Sequence, residues 1–425
     1  MNKPLKVFCF NSLWNTFVFD EKLYSQWLSS FDVELRDLPV AIVSIVGDAR
    51  KGKSFLLNFF LRYLQRHDQE DWIGDLDEPL RGFSWRDGVE RDTVGIVLWP
   101  KPFVLTRKDG SKIVVILMDT QGFYDDHTKH DTVREFFTIS TISSSILIYN
   151  LNGNIQSNDL INLSEFSEYA KVYAGEAKIE NGIEAFQQLL FVIRDWSNRK
   201  EFEFGLKGGY DFLEYKKESQ KDKFCSLWAK LEKCYLDIDC CLLPSLGDKA
   251  EDLDFNGEIS KLKPEFVKAL RELVPSLLAP DTIVTKSIGG EEAQCWQVLK
   301  IFKKLAKNKV MESKKSQFIK NGPIIIEAFD DSKTFFHALF PGKTFDLALI
   351  LAIQMYDNRT DLIYDDHVSS KRAELIVYCE RIRDEAIKKN EASTSRPRNI
   401  DWLKVSGVVA TIAFTVGKLI LLKRL

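Results

Sequence analysis

The sequence predicts an α/β fold with a mostly parallel sheet, followed by a small helical bundle and a C-terminal hydrophobic helix. Three observations carry this reading. Continuous apolar runs rich in β-branched residues recur along the first 290 positions with helical patterns between them. After about residue 290 the strand-like runs stop and only helical spacing remains. The last apolar stretch, Val405 to Leu422, contains a single charge, Lys418. Strands that alternate with helices imply a parallel sheet covered on both faces.

Each element follows from its own pattern. Leu23, Tyr24, Trp27, Leu28 and Phe31 share one helical face over 21–31. Val40–Val46, Ile113–Met118, Ile146–Tyr149, Leu189–Ile193 and Cys240–Leu243 read as buried parallel strands. Phe55–Leu64 and Leu160–Tyr173 read as helices between them. Cys295, Val298, Leu299, Phe302 and Leu305 have helical spacing, as do Leu375, Tyr378, Cys379, Ile382 and Ala386, and Phe345–Tyr356 is an apolar helix. These assign 1–288 to the α/β domain and 291–392 to a three-helix bundle, with Ile288-Gly289-Gly290 as the joint. The polar run at 214–223 reads as a solvated face.

Composition narrows the partners. In 425 residues, 59 Lys and Arg nearly balance 62 Asp and Glu, for a net charge of −3. No basic patch with interleaved aromatics points to nucleic acid. At 45% hydrophobic and 28% charged, the chain has enough apolar side chains for a large core. Seven cysteines with no C-x-x-C pair are expected to be buried, reduced thiols in the cytosol. The polar interruptions Asn11, Asn15 and Thr16 argue against a secretory leader. At the other end, 405–422 would span about 27 Å as a helix, just short of a hydrocarbon core of about 30 Å. Residues 393–403 form a polar linker with Arg396 and Arg398, and 404–425 is expected to be a membrane-anchor helix. Those cations place the bulk of the chain on the cytosolic side.

Three motifs in order carry the chemistry. Gly47 to Ser54 fits G-x-x-x-x-G-K-[ST], directly after one strand run and before a helical one. Glycines let backbone N–H groups close around phosphate, and the helix N-terminus adds positive potential. Lys53 supplies charge to the β and γ phosphates, and Ser54 offers a hydroxyl to Mg2+. Asp119-Thr120-Gln121-Gly122 follows the second strand run, so Asp119 can hold Mg2+ and Gly122 can present its N–H to the γ-phosphate. Arg194-Asp195 follows the fourth run, where Asp195 can accept from guanine N1–H and N2–H2. The familiar Asn-Lys-x-Asp motif is absent. Between the first two motifs, Thr93 is the candidate to complete the Mg2+ shell. His127 and His130, after Asp125 and Asp126, read as a solvated loop rather than a metal cluster.

On these residues the chain resembles the atlastins, membrane-anchored members of the dynamin superfamily, and more distantly the guanylate-binding proteins. The matching stretches are V-x-x-V-G-x-x-R-K-G-K-S-F-L at 43–56, G-F-S-W-R at 82–86, E-R-x-T-x-G-I at 90–96, L-M-D-T-Q-G at 117–122, I-x-x-Y-N-L at 146–151 and R-D-W-S at 194–197. They are dense over about residues 17–290 and thin in the helical region. The resemblance implies a P-loop GTPase domain that converts GTP to GDP and phosphate with Mg2+. It implies that Arg50 is an arginine finger in cis, and that Lys51, Gly52, Lys53, Ser54, Phe55, Gln121, Arg194 and Asp195 contact nucleotide. It adds Arg86 as a phosphate or dimer contact, and Ala250 and Leu253, counted from Leu242-Leu243-Pro244, as the guanine cap. It further implies a GTP-dependent homodimer at the endoplasmic reticulum membrane, with the GTPase and helical domains facing the cytosol. Tethering or fusion of tubules follows, with related membrane GTPases or tubule-shaping proteins as further partners. Relatives usually end in two closely spaced membrane segments and an amphipathic tail, whereas this chain shows one apolar segment. That departure raises two alternatives: a GTP-dependent tether or regulator of a related fusogen, or a soluble guanylate-binding-like GTPase.

Overall fold

The structure, a computed structural model, describes residues 3–11, 16–85, 95–120, 122, 130–176, 186–219, 221–252, 254–340, 344–360 and 366–392. The chain opens with strands β1 (Leu5–Asn11) and β2 (Thr16–Phe19), then helices α1 (Glu21–Ser29) and α2 (Val33–Arg36). Next come β3 (Val40–Gly47), α3 (Lys53–Arg66), β4 (Ile96–Leu98), β5 (Phe103–Thr106), β6 (Lys112–Thr120) and α4 (His130–Ser143). They are followed by β7 (Ile146–Asn152), α5 (Ser157–Glu176), β8 (Phe186–Arg194), α6 (Leu206–Ser219), α7 (Lys221–Cys234) and β9 (Tyr235–Leu242). Finally come α8 (Pro264–Leu278), the short strands β10 (Ser287–Ile288) and β11 (Glu291–Glu292), and helices α9 (Cys295–Leu339), α10 (Phe345–Thr360) and α11 (Asp366–Ala392).

The sheet runs β2-β1-β4-β6-β3-β7-β8-β9, with β5 also on β6. β6, β3, β7, β8 and β9 pair in parallel. They correspond to the five runs read from the sequence, each longer by one to a few residues, except that β9 ends at Leu242, one residue short of the expected Leu243. Their continuous apolar character has a geometric cause. Successive side chains on a strand point to opposite faces, and here both faces are covered. In β3, Val40, Ile42 and Val46 enter one core while Ala41, Val43 and Ile45 enter the other. β6 divides in the same way, with Val114, Ile116 and Met118 opposed to Ile113, Val115 and Leu117. Helices α4 and α5 fill the first face and α3 and α8 the second.

The other sheet strands are antiparallel and had no clear sequence signal. β4 and β5 pair with successive stretches of the same edge of β6, and β1 joins β4 to β2. β4 is three residues long and β1 is only partly buried, so neither produces a long apolar run. Cys234, Cys240, Cys241, Cys295 and Cys379 are buried, as expected, while Cys9 is half-buried.

The C-terminal helices need a finer account than periodicity supplied. The expected joint at Ile288-Gly289-Gly290 is the turn of the β10–β11 hairpin, with φ of 62° at Gly289 and 85° at Gly290. The face made by Cys295, Val298, Leu299, Phe302 and Leu305 belongs to the sheet's own core. Tyr24 Oη donates to the Leu299 carbonyl at 2.7 Å, and Lys303 and Lys307 pair with Glu21 at 2.8 and 2.9 Å. The first compact unit therefore reaches Glu312, inside α9. The second unit has a separate core: Ala328, Phe329, Phe336 and Leu339 of α9 pack with Ala348, Ala352 and Tyr356 of α10 and with Leu375 and Cys379 of α11. No helix among the described residues is long and apolar enough to cross a membrane. The expected linker at 393–403 and anchor at 404–425 lie outside the described residues.

One buried cation marks the floor of the first unit. Lys286 is 1% exposed, its backbone N–H bonds the Val40 carbonyl at 2.7 Å, and its Nζ donates to the Ser144 carbonyl at 2.8 Å. Burial pushes its pKa down from 10.5 to about 7. Below about pH 7 both folded and unfolded chains carry the charge, so the burial cost is fully present. Between about pH 7 and 10.5 the unfolded chain holds a proton that the folded chain has released, and stability rises with pH. Lys286→Met is expected to stabilise the protein by about 2 kcal/mol near pH 7, since each pKa unit of depression corresponds to about 1.36 kcal/mol and the Ser144 carbonyl loses its donor. The gain should shrink toward pH 10. Urea denaturation at several pH values checks both the sign and the trend.

Candidate functional site

The parallel strands end at one edge, and their register decides which residues meet there. Ile45 pairs with Asp119, Gly47 with Asn150, and Asn152 with Arg194. In an open parallel sheet, ligands bind beyond these carboxyl ends. The turn from β3 into α3 runs through this point. Gly47 takes φ 130° because a side chain there would strike the Asn150 carbonyl of the next strand. Gly52 takes φ 67°, and a Cβ there would overlap the Arg194 guanidinium. Both glycines therefore answer to neighbours as well as to the turn.

Lys53 opens α3 and is 6% exposed. Its Nζ donates to the Asp48 carbonyl at 2.6 Å. Burial depresses its pKa to about 8, against the pull of Asp119 and Asp48, with Arg194 adding to the depression. A buried cation so placed is poised for an anion. Ser54 Oγ donates to Asp119 Oδ2 at 2.5 Å, and Asp119, 1% exposed, also accepts from the Thr120 N–H at 3.1 Å. A hydroxyl and a carboxylate oxygen side by side next to the phosphate loop form a hard, oxygen-only donor set. That set fits Mg2+, which takes one or two protein oxygens and completes its shell with water and phosphate. Gly122 is buried, and a Cβ on it would meet the Ala49 backbone and come within 2.7 Å of Lys53 Nζ. Phe55 is buried beneath Trp85, at 4.9 Å between ring centroids, and Phe255. Arg50 is exposed at φ 59°.

Arg194 and Asp195, expected from the sequence to meet the base, lie at the end of β8 beside β7. Arg194 donates to the Lys51 carbonyl at 2.5 Å and lies 3.6 Å from the Asp195 carboxylate. Asp195 stands at φ 57°, and its Oδ2 accepts from Asn152 Nδ2 at 2.8 Å. Arg50 and Asp195 are the two non-glycine residues with positive φ among the described ones. Such backbone persists where surroundings over-determine it, often at functional sites. Ala250 sits in the short helical turn Asp248–Glu251, packed at the margin of the core that holds α3. Thr93, Arg86, Gln121, Leu253 and His127 lie outside the described residues.

Sequence reasoning assigned no role to three neighbours of this site. Asn150, fully buried, donates from Nδ2 to the Lys51 carbonyl at 2.9 Å, while its Oδ1 has no hydrogen-bond partner. Asn152 holds Asp195. Asp48 keeps one carboxylate oxygen without a partner, and burial raises its pKa. Their signal was weak, because an Asn at a strand end gains a role only through register.

If Asp195 reads guanine, its replacement changes selectivity more than it changes the fold. Asp195→Asn is expected to lower the preference for GTP over ATP at least about tenfold, the scale of one hydrogen bond to a charged acceptor. Competitive nucleotide titration measures the ratio. An unchanged ratio would remove Asp195 from base recognition.

Residues 15–287 match the family described as guanylate-binding protein, N-terminal domain. The chain is 41% identical to atlastin-2 of Macaca fascicularis over 293 residues, 68% of this chain and 51% of that protein. Identity to atlastin-2 of Homo sapiens is also 41% over 293 residues, 68% of this chain and 49% of that one. Against atlastin-1 of Rattus norvegicus it is 40% over 293 residues, 68% and 51% of the two chains. The chain thus spans about half the length of the curated relatives it matches. Because the family match covers more than half of the chain and falls on the domain that carries the Gly47–Ser54 loop, the chain belongs to the guanylate-binding-protein family.

Proposed function

We propose that this site binds GTP and hydrolyses it to GDP and phosphate, and that the cycle drives self-association which tethers, and then fuses, membranes of the endoplasmic reticulum. The observation that carries the reading is the meeting of Lys53, the Ser54–Asp119 pair and Arg194–Asp195 at one sheet edge. Lys53 and the loop N–H groups receive the phosphates, with Gly122 facing the same loop. Ser54 and Asp119 would hold Mg2+, with Thr93 the further candidate ligand; the ion, when bound, would supply charge neutralisation at the phosphates. Lys51, Phe55, Arg86 and Gln121 complete the phosphate side, and Asp195, with Ala250 and Leu253, encloses guanine. Arg50 delivers a fixed cation to the charge that develops as water displaces the γ-phosphoryl group. Exposed on the rim, it is suited to act when a second copy closes over the loop.

Arg50→Ala is expected to cut turnover at least about a thousandfold, the scale of arginine fingers in related chemistry, with GDP affinity largely intact. Phosphate-release assays beside fluorescent-GDP titration separate the two effects, and near-normal turnover would remove Arg50 from the mechanism.

The membrane part of the reading is tested on liposomes that carry the full chain. GTP with Mg2+ is expected to raise light scattering and then mix lipid dyes. Scattering without mixing would favour a GTP-dependent tether or regulator, and neither signal would favour a guanylate-binding-like GTPase that acts away from a bilayer.

A further inference from the structure

The peptide that follows Arg50 is held from two sides. Asn150 Nδ2 and Arg194 Nη1 both donate to the Lys51 carbonyl, at 2.9 and 2.5 Å. They come from different strands, β7 and β8, so the carbonyl is fixed in two directions. The residue before it is Arg50, whose left-handed backbone is disfavoured for a side chain of that size. The residue after it is Gly52, packed so closely on Arg194 that no Cβ fits. A left-handed residue, a doubly bonded carbonyl and a left-handed glycine thus follow one another.

The amide that does this work is not well served by the fold. Asn150 is fully buried, and its Oδ1 has no hydrogen-bond partner. A buried acceptor without a donor carries a desolvation penalty, and an apolar residue of the same shape would avoid it. Packing alone does not explain an asparagine here. The hydrogen bond to the Lys51 carbonyl does.

We propose that Asn150 is a positioning residue for turnover: with Arg194 it clamps the Lys51 carbonyl and so fixes the backbone from which Arg50 projects. The proposal rests on the reading of Arg50 as the charge donor in hydrolysis. Asn150 itself touches no reacting atom. Its contribution passes through Arg50, and a small misplacement of such a group is enough to lose much of its effect.

The test is a double-mutant cycle on the full chain. Asn150→Leu conserves shape while deleting both the donor and the unpartnered oxygen; Asn150→Ala is the second variant. Turnover, the KM for GTP, fluorescent-GDP affinity and the thermal midpoint are measured for each, alone and with Arg50→Ala. The expected result for Asn150→Leu is a kcat at least about tenfold lower, a KM within about threefold of the parent and an unchanged or higher midpoint. In the Arg50→Ala background the same change should have no further effect. The proposal is overturned if Asn150→Leu turns over normally, or if it slows Arg50→Ala by the factor seen alone. It is equally overturned if both Asn150 variants fail to fold, which would assign the side chain to stability. Normal turnover of Arg50→Ala would instead sink the reading of Arg50, and this inference with it. A slow Arg50→Ala with additive losses would sink the inference alone.

Discussion

The molecule is organised around a cation that must be kept out of water and yet charged. Lys53 lies almost fully buried at the first turn of α3. Desolvation favours the neutral amine, and the positive end of the helix and the nearby Arg194 do the same. What opposes them is local and specific: the Asp48 carbonyl at 2.6 Å and the carboxylates of Asp119 and Asp48. Each reaches Lys53 only because a strand delivers it. β3 ends at Gly47 and β6 carries Asp119 one pairing away, so the parallel register comes before the electrostatics. A sheet with one strand slipped by a residue would turn Asp119 to the other face and remove that counter-charge.

The same logic explains why the loop is not a free-standing motif. Its glycines are needed where other strands press on it: Gly47 against the Asn150 carbonyl, Gly52 against the Arg194 guanidinium. Its non-glycine strain at Arg50 sits beside the Lys51 carbonyl, which receives two side-chain donors. Asp195, the other strained residue, is held by Asn152 and faces Arg194. Both strained positions are thus bonded, or adjacent to bonding, by side chains from β7 and β8. Strain of this kind costs about 1–3 kcal/mol per residue, and it persists because neighbouring strands leave few alternatives.

Legibility in the sequence followed burial. The five parallel strands were readable because each has a stretch covered on both faces, so that stretch is almost wholly apolar and needs no phase; the exposed start of β9, with Leu236 and Asp237, was not read. The antiparallel strands β1, β2, β4 and β5 were not, since they are short or half-exposed and alternate too weakly to mark a face. In α9 the apolar face Cys295–Leu305 was readable and its partner was not, because periodicity says that a face is buried without saying against what. At the site, Lys53, Ser54, Asp119 and Arg194–Asp195 announced themselves by residue type and by position after strand runs. Asn150 and Asn152 did not. Their roles depend on which residue lies opposite them, Gly47 and Arg194, and that pairing is a property of the sheet rather than of either strand.

The start of α9 shows how far the sheet's domain extends. Lys309 is 2% exposed, yet it is fully partnered: Glu135 of α4 at 2.6 Å, Glu312 at 3.2 Å, the Tyr169 hydroxyl at 3.0 Å and the Tyr173 ring 3.4 Å away. Removing one member of such a set leaves an uncompensated buried charge, which costs far more than losing an exposed pair. Lys286 and Lys309, both buried in this unit, therefore have opposite characters. Lys286 has a carbonyl and no carboxylate, and its pKa falls; Lys309 has carboxylates and hydroxyls, and its pKa rises. Lys309 binds the first turns of α9 to α4, the helix that follows the Asp119 strand in the chain. A shift of α4 could not leave α9 in place without breaking that network. Cost rather than distance thus ties this end of the helix to the strand that carries Asp119.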